Sequence, residues 1–104
     1  MNEEMKMTKE AEGRILEGAI GTWGAEMQII VAIEEMSELT KALTKYIRAD
    51  DVATIEASIR EEMADVSIML NQLSLIFGDT TEEEIRKLNR LRRRIEDVTG
   101  ELLF

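Results

Sequence analysis

Apolar residues recur every three or four positions along most of the chain, which is the spacing of one face of an α-helix. The clearest stretch lies near the end, where the apolar positions are Ile85, Leu88, Leu91, Ile95 and Val98. The pattern predicts four helices, at about residues 8–20, 25–48, 52–77 and from 80 onward. The third segment can be one helix or a short helix followed by a long one, and we favour a break near Ser58.

The connections between these segments are short. The glycines of "GTWG" can cap the first helix and turn the chain, and Asp50 or Asp51 can cap the third helix. Thr80 with Glu83 fits a capping box at the start of the fourth. Short connections between long amphipathic helices imply antiparallel neighbours. We therefore predict an all-α fold, an antiparallel bundle of about four helices completed by oligomerisation. It forms one domain over residues 1–104, with 1–7 frayed.

Composition agrees with this picture and excludes several kinds of chemistry. The 104 residues include no proline, no cysteine and no histidine, which leaves oxygen ligands and hard cations such as Mg²⁺ or Mn²⁺ for any metal site. The start "MNEEMKMTKE" lacks the apolar core of a signal peptide, and no apolar run is long enough for a membrane span. A net charge of −9 argues against nucleic-acid binding. A cytoplasmic protein without membrane or nucleic-acid partners is expected.

Two acidic motifs, "EEMSEL" and "EEMADV", hold the candidate chemistry. At 100° per residue, Glu35 with Glu38 and Glu62 with Asp65 each form a pair at the edge of the core-facing side of a helix. Glu34 points more towards solvent. If the second and third helices pack antiparallel, the two pairs can lie opposite each other.

Four carboxylates gathered in this way would repel strongly. At an effective dielectric of about 20, each contact near 4 Å costs about 4 kcal/mol. Such a cluster must take up protons, pair with cations or bind a metal, and metal binding is the simplest interpretation. The alternative is that Glu35 and Glu62 extend from the helix boundary and pair with basic residues of the fourth helix.

The two motifs, with Gln28 before them, resemble the MazG-like all-α nucleoside triphosphate pyrophosphohydrolases. The signature of that superfamily is EExxE followed, after a dozen to nearly thirty residues, by ExxD. Here 23 residues separate Glu38 from Glu62. The stretch "IRKLNRLRRRI" is similar to the basic last helix of the compact stand-alone members. The resemblance covers about residues 20–96, with basic residues at matching places: Lys87, Arg90 and Arg94.

The resemblance implies a function for these residues. Mg²⁺, with Mn²⁺ as a substitute, would be held by Glu35, Glu38, Glu62 and Asp65. A metal-activated water would attack the α-phosphorus of a nucleoside triphosphate, releasing the monophosphate and pyrophosphate. Glu34 or Glu38 can serve as the base, since the chain has no histidine. The expected substrates are dNTPs or non-canonical NTPs, in a house-cleaning role.

The same resemblance assigns substrate contacts and an assembly. Gln28 would contact the base or sugar, or orient a ligand carboxylate, and Lys87, Arg90 and Arg94 would contact phosphates. A homodimer or homotetramer is expected. Trp23 and Tyr46 can each stack a nucleobase, although packing is the commoner role of such residues.

Two other kinds of protein fit parts of the pattern. A non-catalytic acidic helical-bundle interaction module would bind a partner protein through the apolar residues that lie away from the main arcs, namely Ile30, Ile68 and Leu75. A di-iron bundle would need Glu-x-x-His pairs, which a chain without histidine cannot supply.

Overall fold

Four helices make up the protein in the computed structural model, which describes residues 4, 6–48 and 52–104. Their bounds are α1 (Lys9–Trp23), α2 (Ala25–Ile47), α3 (Val52–Phe77) and α4 (Thr81–Thr99). The predicted all-α fold class is confirmed, and this part of the chain contains no strand. Within the same ranges, no helix combines the length and the apolar character that a membrane crossing requires.

The predicted break near Ser58 is wrong, because α3 is one uninterrupted helix. A serine at an exposed helical position costs only a few tenths of a kcal/mol relative to alanine, and its neighbours sustain the helix. The proposed caps Asp50 and Asp51 lie outside the described residues. The expected fraying of residues 1–7 also falls largely outside them.

A single glycine makes the corner between α1 and α2. The N–H of Gly24 donates to the carbonyl of Ile20 (2.8 Å), and its own carbonyl accepts from the N–H of Gln28 (3.2 Å). Its φ of +88° is a conformation that residues with a Cβ rarely adopt. Helix α1 therefore continues through Gly21 to Trp23, three residues beyond the predicted end.

The centre of the fold is the antiparallel pair of α2 and α3, which share the most extensive contact between helices. Ala32 and Ala42 are buried on α2, and Met69 is buried on α3. Alanine side chains let two helix backbones approach closely, so the pair packs tightly although few large side chains are enclosed.

Helix α1 packs against the end of this pair that lies near its own connection to α2. Its start is capped by Thr8, whose Oγ1 accepts from the N–H of Ala11 at 3.0 Å. Two hydrogen bonds tie it to α3. Asn71 Nδ2 donates to a carboxylate oxygen of Glu12 (2.8 Å), and Gln72 Nε2 donates to the carbonyl of Leu16 (3.2 Å).

Helix α4 makes no contact with the other three helices within the described residues. Its start is capped by Asp79, whose Oδ1 accepts from the N–H of Thr81 (2.9 Å), and this hydrogen bond lowers the pKa of Asp79. Thr80 Oγ1 donates to Glu84, so the predicted pairing of Thr80 with Glu83 is replaced by one a residue further along.

We expect opposite effects from alanine at two glycines of this region. Gly24→Ala should lower the free energy of unfolding by about 1–3 kcal/mol, because a positive φ is costly for a residue with a Cβ. Gly18→Ala should raise it by about 0.5–1 kcal/mol, because Gly18 lies inside α1 with open space where the added methyl group would lie. Urea unfolding at one fixed protein concentration measures both. Equal changes in the free energy of unfolding for the two variants would contradict a corner made by Gly24 alone.

Candidate metal centre

Three carboxylates meet where α2 faces α3. One oxygen each from Glu35, Glu62 and Asp65 lies within 4.8 Å of the other two. Glu35 and Glu62 are half-buried, whereas Asp65 is exposed. The structure thus brings together three of the four residues that the sequence analysis assigned to a metal site.

Helix geometry explains why these three residues converge. Glu62 and Asp65 are three positions apart, so they lie on the same side of α3. Glu35 approaches them from α2, one turn beyond Ala32, which is almost fully buried. The small side chain of Ala32 lets the two helix backbones approach, which allows the opposing carboxylates to converge.

The cluster changes the titration of its central member. Partial burial, the charges of Asp65 and Glu62, and a hydrogen bond with Asp65 all raise the pKa of Glu35 above its ordinary value of 4.5. Glu38 adds a smaller effect in the same direction. Folding of the metal-free chain therefore makes it easier to protonate Glu35 than it is in the unfolded chain.

No cation of the chain neutralises this cluster within the described residues. The ion pairs found there are Arg14 with Glu10 (3.1 Å) and Arg92 with Glu96 (2.8 Å), each within one helix. The alternative in which Glu35 and Glu62 pair with the basic last helix is thus not seen in a single chain.

The two candidate bases lie beside the cluster rather than in it. Glu38 and Glu34 are both exposed. Glu38 is close enough for its charge to act on Glu35, but its carboxylate is not among the three that converge. Both side chains can reach solvent next to the site.

Gln28 lies two helical turns before Glu35 on the same side of α2 and is buried. It lines a cavity of about 410 Å³ together with Trp23, Met27 and Val31. Trp23 is 64% exposed, so its ring is accessible from this cavity.

Gln72 is a buried polar residue that the sequence analysis missed. It is 2% exposed, and while its Nε2 donates to Leu16, its Oε1 accepts no hydrogen bond in the described part of the chain. It follows Asp65 by seven residues, as Gln28 precedes Glu35 by seven. Because the helices are antiparallel, both glutamines are displaced from the cluster in the same direction along the helix axes. The sequence does contain a signal for this residue, because Gln72 lies on an otherwise apolar face of α3.

The predicted phosphate contacts are not near the cluster in one chain. Lys87, Arg90 and Arg94 are exposed on α4, and α4 does not contact α2 or α3. The structure of a single chain therefore does not bring these three cations to the cluster.

Comparisons with known protein families, with curated proteins and with solved structures find no match for this chain.

The donor set fits a hard divalent cation. Two oxygens bound to one Mg²⁺ at about 2.1 Å are at most about 4.2 Å apart, so small side-chain rotations would bring the three oxygens into one coordination sphere. Three carboxylates also leave positions for water or for phosphate oxygens. The cluster is a group that can hold a metal ion.

Glu35→Gln should stabilise the metal-free protein near neutral pH. Because the pKa of Glu35 is raised in the fold, its charge opposes folding above that raised pKa, and the penalty fades as the pH falls towards 4.5. The wild type in chelator should therefore gain stability as the pH falls through this window, and the variant should gain less. Thermal unfolding across pH measures the effect.

Glu34→Gln is the matched control, since it removes the same charge from the adjacent, exposed position. If both variants changed the pH dependence equally, the effect would come from net charge and not from the cluster.

Proposed function

We propose that this protein is a Mg²⁺-dependent nucleoside triphosphate pyrophosphohydrolase. It would cleave dNTPs or non-canonical NTPs between the α and β phosphates, giving nucleoside monophosphate and pyrophosphate in a house-cleaning role. The observation that carries the proposal is the convergence of Glu35, Glu62 and Asp65 within 4.8 Å. These residues come from the two motifs that resemble the MazG-like superfamily.

The chain offers carboxylates for each chemical role. Glu35, Glu62 and Asp65, with Glu38 beside them, would hold the ion. Bound Mg²⁺ would offset the charge of the phosphate oxygens and acidify a water molecule. Glu34 or Glu38 would take the proton from the attacking water, because no histidine is present. Both are solvent-accessible next to the cluster, so both remain candidates.

The cavity beside Gln28 is a candidate binding site for the nucleoside part of the substrate. Two helical turns separate Gln28 from Glu35, a rise of about 10 Å. This distance would let Gln28 hold the base of a nucleotide whose α-phosphate lies at the cluster. The amide of Gln28 can both donate to and accept from a base edge, and Trp23 has an exposed ring that can stack on it. A volume of about 410 Å³ is in the usual range of small-ligand sites.

The triphosphate would need further positive charge. Lys87, Arg90 and Arg94 are the chain's candidates, and in an oligomer they would come from α4 of a neighbouring copy. We therefore retain the homodimer or homotetramer as part of this proposal.

A non-catalytic interaction module is the second candidate. The observation that favours it is the exposure of large apolar side chains on α4, such as Leu88 and Val98. Such a module would need neither a metal ion nor the cluster, and the two experiments below separate the two functions.

Pyrophosphate release from a panel of canonical and modified nucleoside triphosphates tests the activity. We expect Mg²⁺-dependent release from at least one member, abolished by chelator. Glu62→Gln should reduce the rate by about 100-fold or more, because it removes a metal ligand. Glu61→Gln is the control, because Glu61 is the exposed neighbour outside the cluster. Equal losses in both variants, or no release from any member, would contradict the proposal.

Thermal unfolding in millimolar Mg²⁺ tests ion binding separately from catalysis. At ten times the dissociation constant, a bound ion stabilises the folded state by about 1.4 kcal/mol, which is a shift of several degrees for a chain of this size. Asp65→Asn should remove the shift and Glu61→Gln should keep it. A wild type that is indifferent to Mg²⁺ and Mn²⁺ would favour the interaction module.

A further inference from the structure

Gln72 of α3 has a hydrogen-bond acceptor that no described residue uses. Its side chain is 2% exposed, and its Nε2 donates to the main-chain carbonyl of Leu16 on α1 (3.2 Å). A carbonyl accepts and cannot donate, so the Gln72 amide must turn its NH₂ group towards Leu16 and its oxygen away. That oxygen, Oε1, is buried and accepts no hydrogen bond from the described residues. Native proteins rarely leave a buried acceptor in this state, because it has lost its water without gaining a partner.

Gln28 of α2 is the residue placed to supply the missing donor. It lies seven residues before Glu35, and Gln72 lies seven residues after Asp65. Two helical turns therefore lead from the cluster to each glutamine, in the same direction because the helices are antiparallel. Residues seven apart keep the same side towards a closely packed partner helix. Gln28 thus lies opposite Gln72 as Glu35 lies opposite Asp65, and the side chains of that carboxyl pair are hydrogen-bonded.

Burial and sequence both support this pairing. Gln28 is 6% exposed, as a side chain directed at the other helix must be. Within residues 27–33 of α2, Gln28 alone has a side-chain hydrogen-bond donor. The other nearby donors are engaged elsewhere. Arg14 of α1 is exposed and paired within its own helix, and Asn71, next to Gln72, donates to a carboxylate of α1 (2.8 Å).

The other side of Gln28 borders the cavity of about 410 Å³ that it lines with Trp23, Met27 and Val31. The Gln28 amide makes no hydrogen bond within the described residues, so no described contact fixes which of its two polar atoms faces this cavity. The two atoms differ in chemistry, because Nε2 donates and Oε1 accepts. A partner for one of them therefore decides what the cavity offers to a ligand.

We propose that Gln72 positions Gln28 through a hydrogen bond from Gln28 Nε2 to Gln72 Oε1. The carbonyl of Leu16, the amide of Gln72 and the amide of Gln28 then form one hydrogen-bonded chain, which we call the amide relay. Each amide has one orientation that satisfies its neighbours in the relay. Gln28 Oε1 consequently faces the cavity as a fixed acceptor. Gln72 is a positioning residue, since it acts on a ligand only through Gln28.

The amide relay gives the cavity a preference among bases, and this consequence rests on the proposed nucleotide substrate. A fixed acceptor is complementary to a base whose pairing edge carries a hydrogen on a ring nitrogen. It is repelled by the lone pair of a ring nitrogen without one. Uracil and hypoxanthine belong to the first class, and cytosine and adenine belong to the second. Because a site built to hydrogen-bond an N–H group rejects analogues that lack it, the cavity favours the first class.

A double-mutant cycle tests the hydrogen bond itself, without any nucleotide. Gln28→Met and Gln72→Met keep the length of the side chains and remove their amides. Each substitution alone leaves the other amide unpaired, so each should raise the equilibrium constant of unfolding by about fivefold or more. The double variant should raise it several-fold less than the product of the two single effects. Urea unfolding of the full chain at one fixed protein concentration measures these constants.

Asn71→Leu is the matched control, because it removes the other hydrogen bond between α3 and α1 and leaves the amide relay intact. Its effect on the unfolding constant should simply multiply with that of Gln28→Met. If the effects of Gln28→Met and Gln72→Met also multiply, something other than Gln28, such as a buried water, satisfies Gln72 Oε1. That result would overturn the proposal.

Binding of nucleoside monophosphates tests the preference among bases. Trp23 is the one tryptophan of the chain, and its fluorescence reports binding because it lines the cavity. The inosine and adenosine monophosphates form one pair of ligands, and the deoxyuridine and deoxycytidine monophosphates form another. In at least one pair, the wild type should bind the first member about tenfold more tightly. Gln72→Met should lower this ratio several-fold, whereas Asn71→Leu should preserve it.

The outcomes separate the amide relay from the proposed function. A wild type without this preference, or a preference that Gln72→Met leaves intact, would overturn the proposal. Equal losses in Gln72→Met and Asn71→Leu would do so as well, since they would show that Gln72 only ties α3 to α1. If no nucleotide binds, the proposed substrate is wrong and the preference fails with it, while the double-mutant cycle still decides whether Gln72 positions Gln28.

Discussion

The close packing of α2 against α3 is the constraint on which the other features depend. Small side chains at Ala32 and Ala42 let the backbones approach, and that approach determines which residues oppose each other. It brings Glu35 against Glu62 and Asp65, and it buries Gln28 and Gln72 on one side of them. A larger residue at position 32 would push the two helices apart and would separate the three carboxylates.

This packing opposes the electrostatics of the residues that it brings together. Partial burial of Glu35, together with the charges of Asp65 and Glu62, raises the pKa of Glu35, so its ionised form weakens the folded state. A chain under selection for stability alone would place a cation there, and thirteen lysines and arginines are available. In the part of the chain that the structure describes, none of them pairs with the cluster. Retained repulsion of this kind is typical of a site that binds a cation.

The sequence was a good guide wherever one helix, or two adjacent helices, determines the outcome. Helical periodicity places Glu62 and Asp65 on one side of α3, and a short connection makes α2 and α3 antiparallel, so the convergence with Glu35 follows from local rules. The predicted break near Ser58 failed because a weak local preference does not overcome a long apolar periodicity. Gln72 was missed because burial of a polar residue depends on a third helix, α1.

The position of α4 was beyond such rules for a different reason. Its amphipathic pattern predicts a helix with a buried face, and the helix is present, but no residue that the structure describes buries Leu88 or Leu91. Lys87, Arg90 and Arg94 consequently have no determined relation to the cluster, since their location follows from that of α4. Periodicity specifies that a helix needs a partner and cannot specify which chain provides it.

The small core and the repulsive cluster are two aspects of one energetic problem. The buried apolar residues of the described chain are Leu16, Ala32, Ala42 and Met69, and two of these are alanines, each of which contributes little more than one methyl group of buried area. Burial on this scale leaves little free energy to offset both conformational entropy and the repulsion at Glu35. Covering the exposed apolar residues of α4, namely Ile85, Leu88, Leu91, Ile95 and Val98, would bury five further large side chains per copy, at about 1.5–3 kcal/mol each when fully enclosed. Burial of these side chains in the proposed oligomer would offset the repulsion among the three carboxylates, and the integrity of the candidate metal centre should then depend on protein concentration as well as on cations.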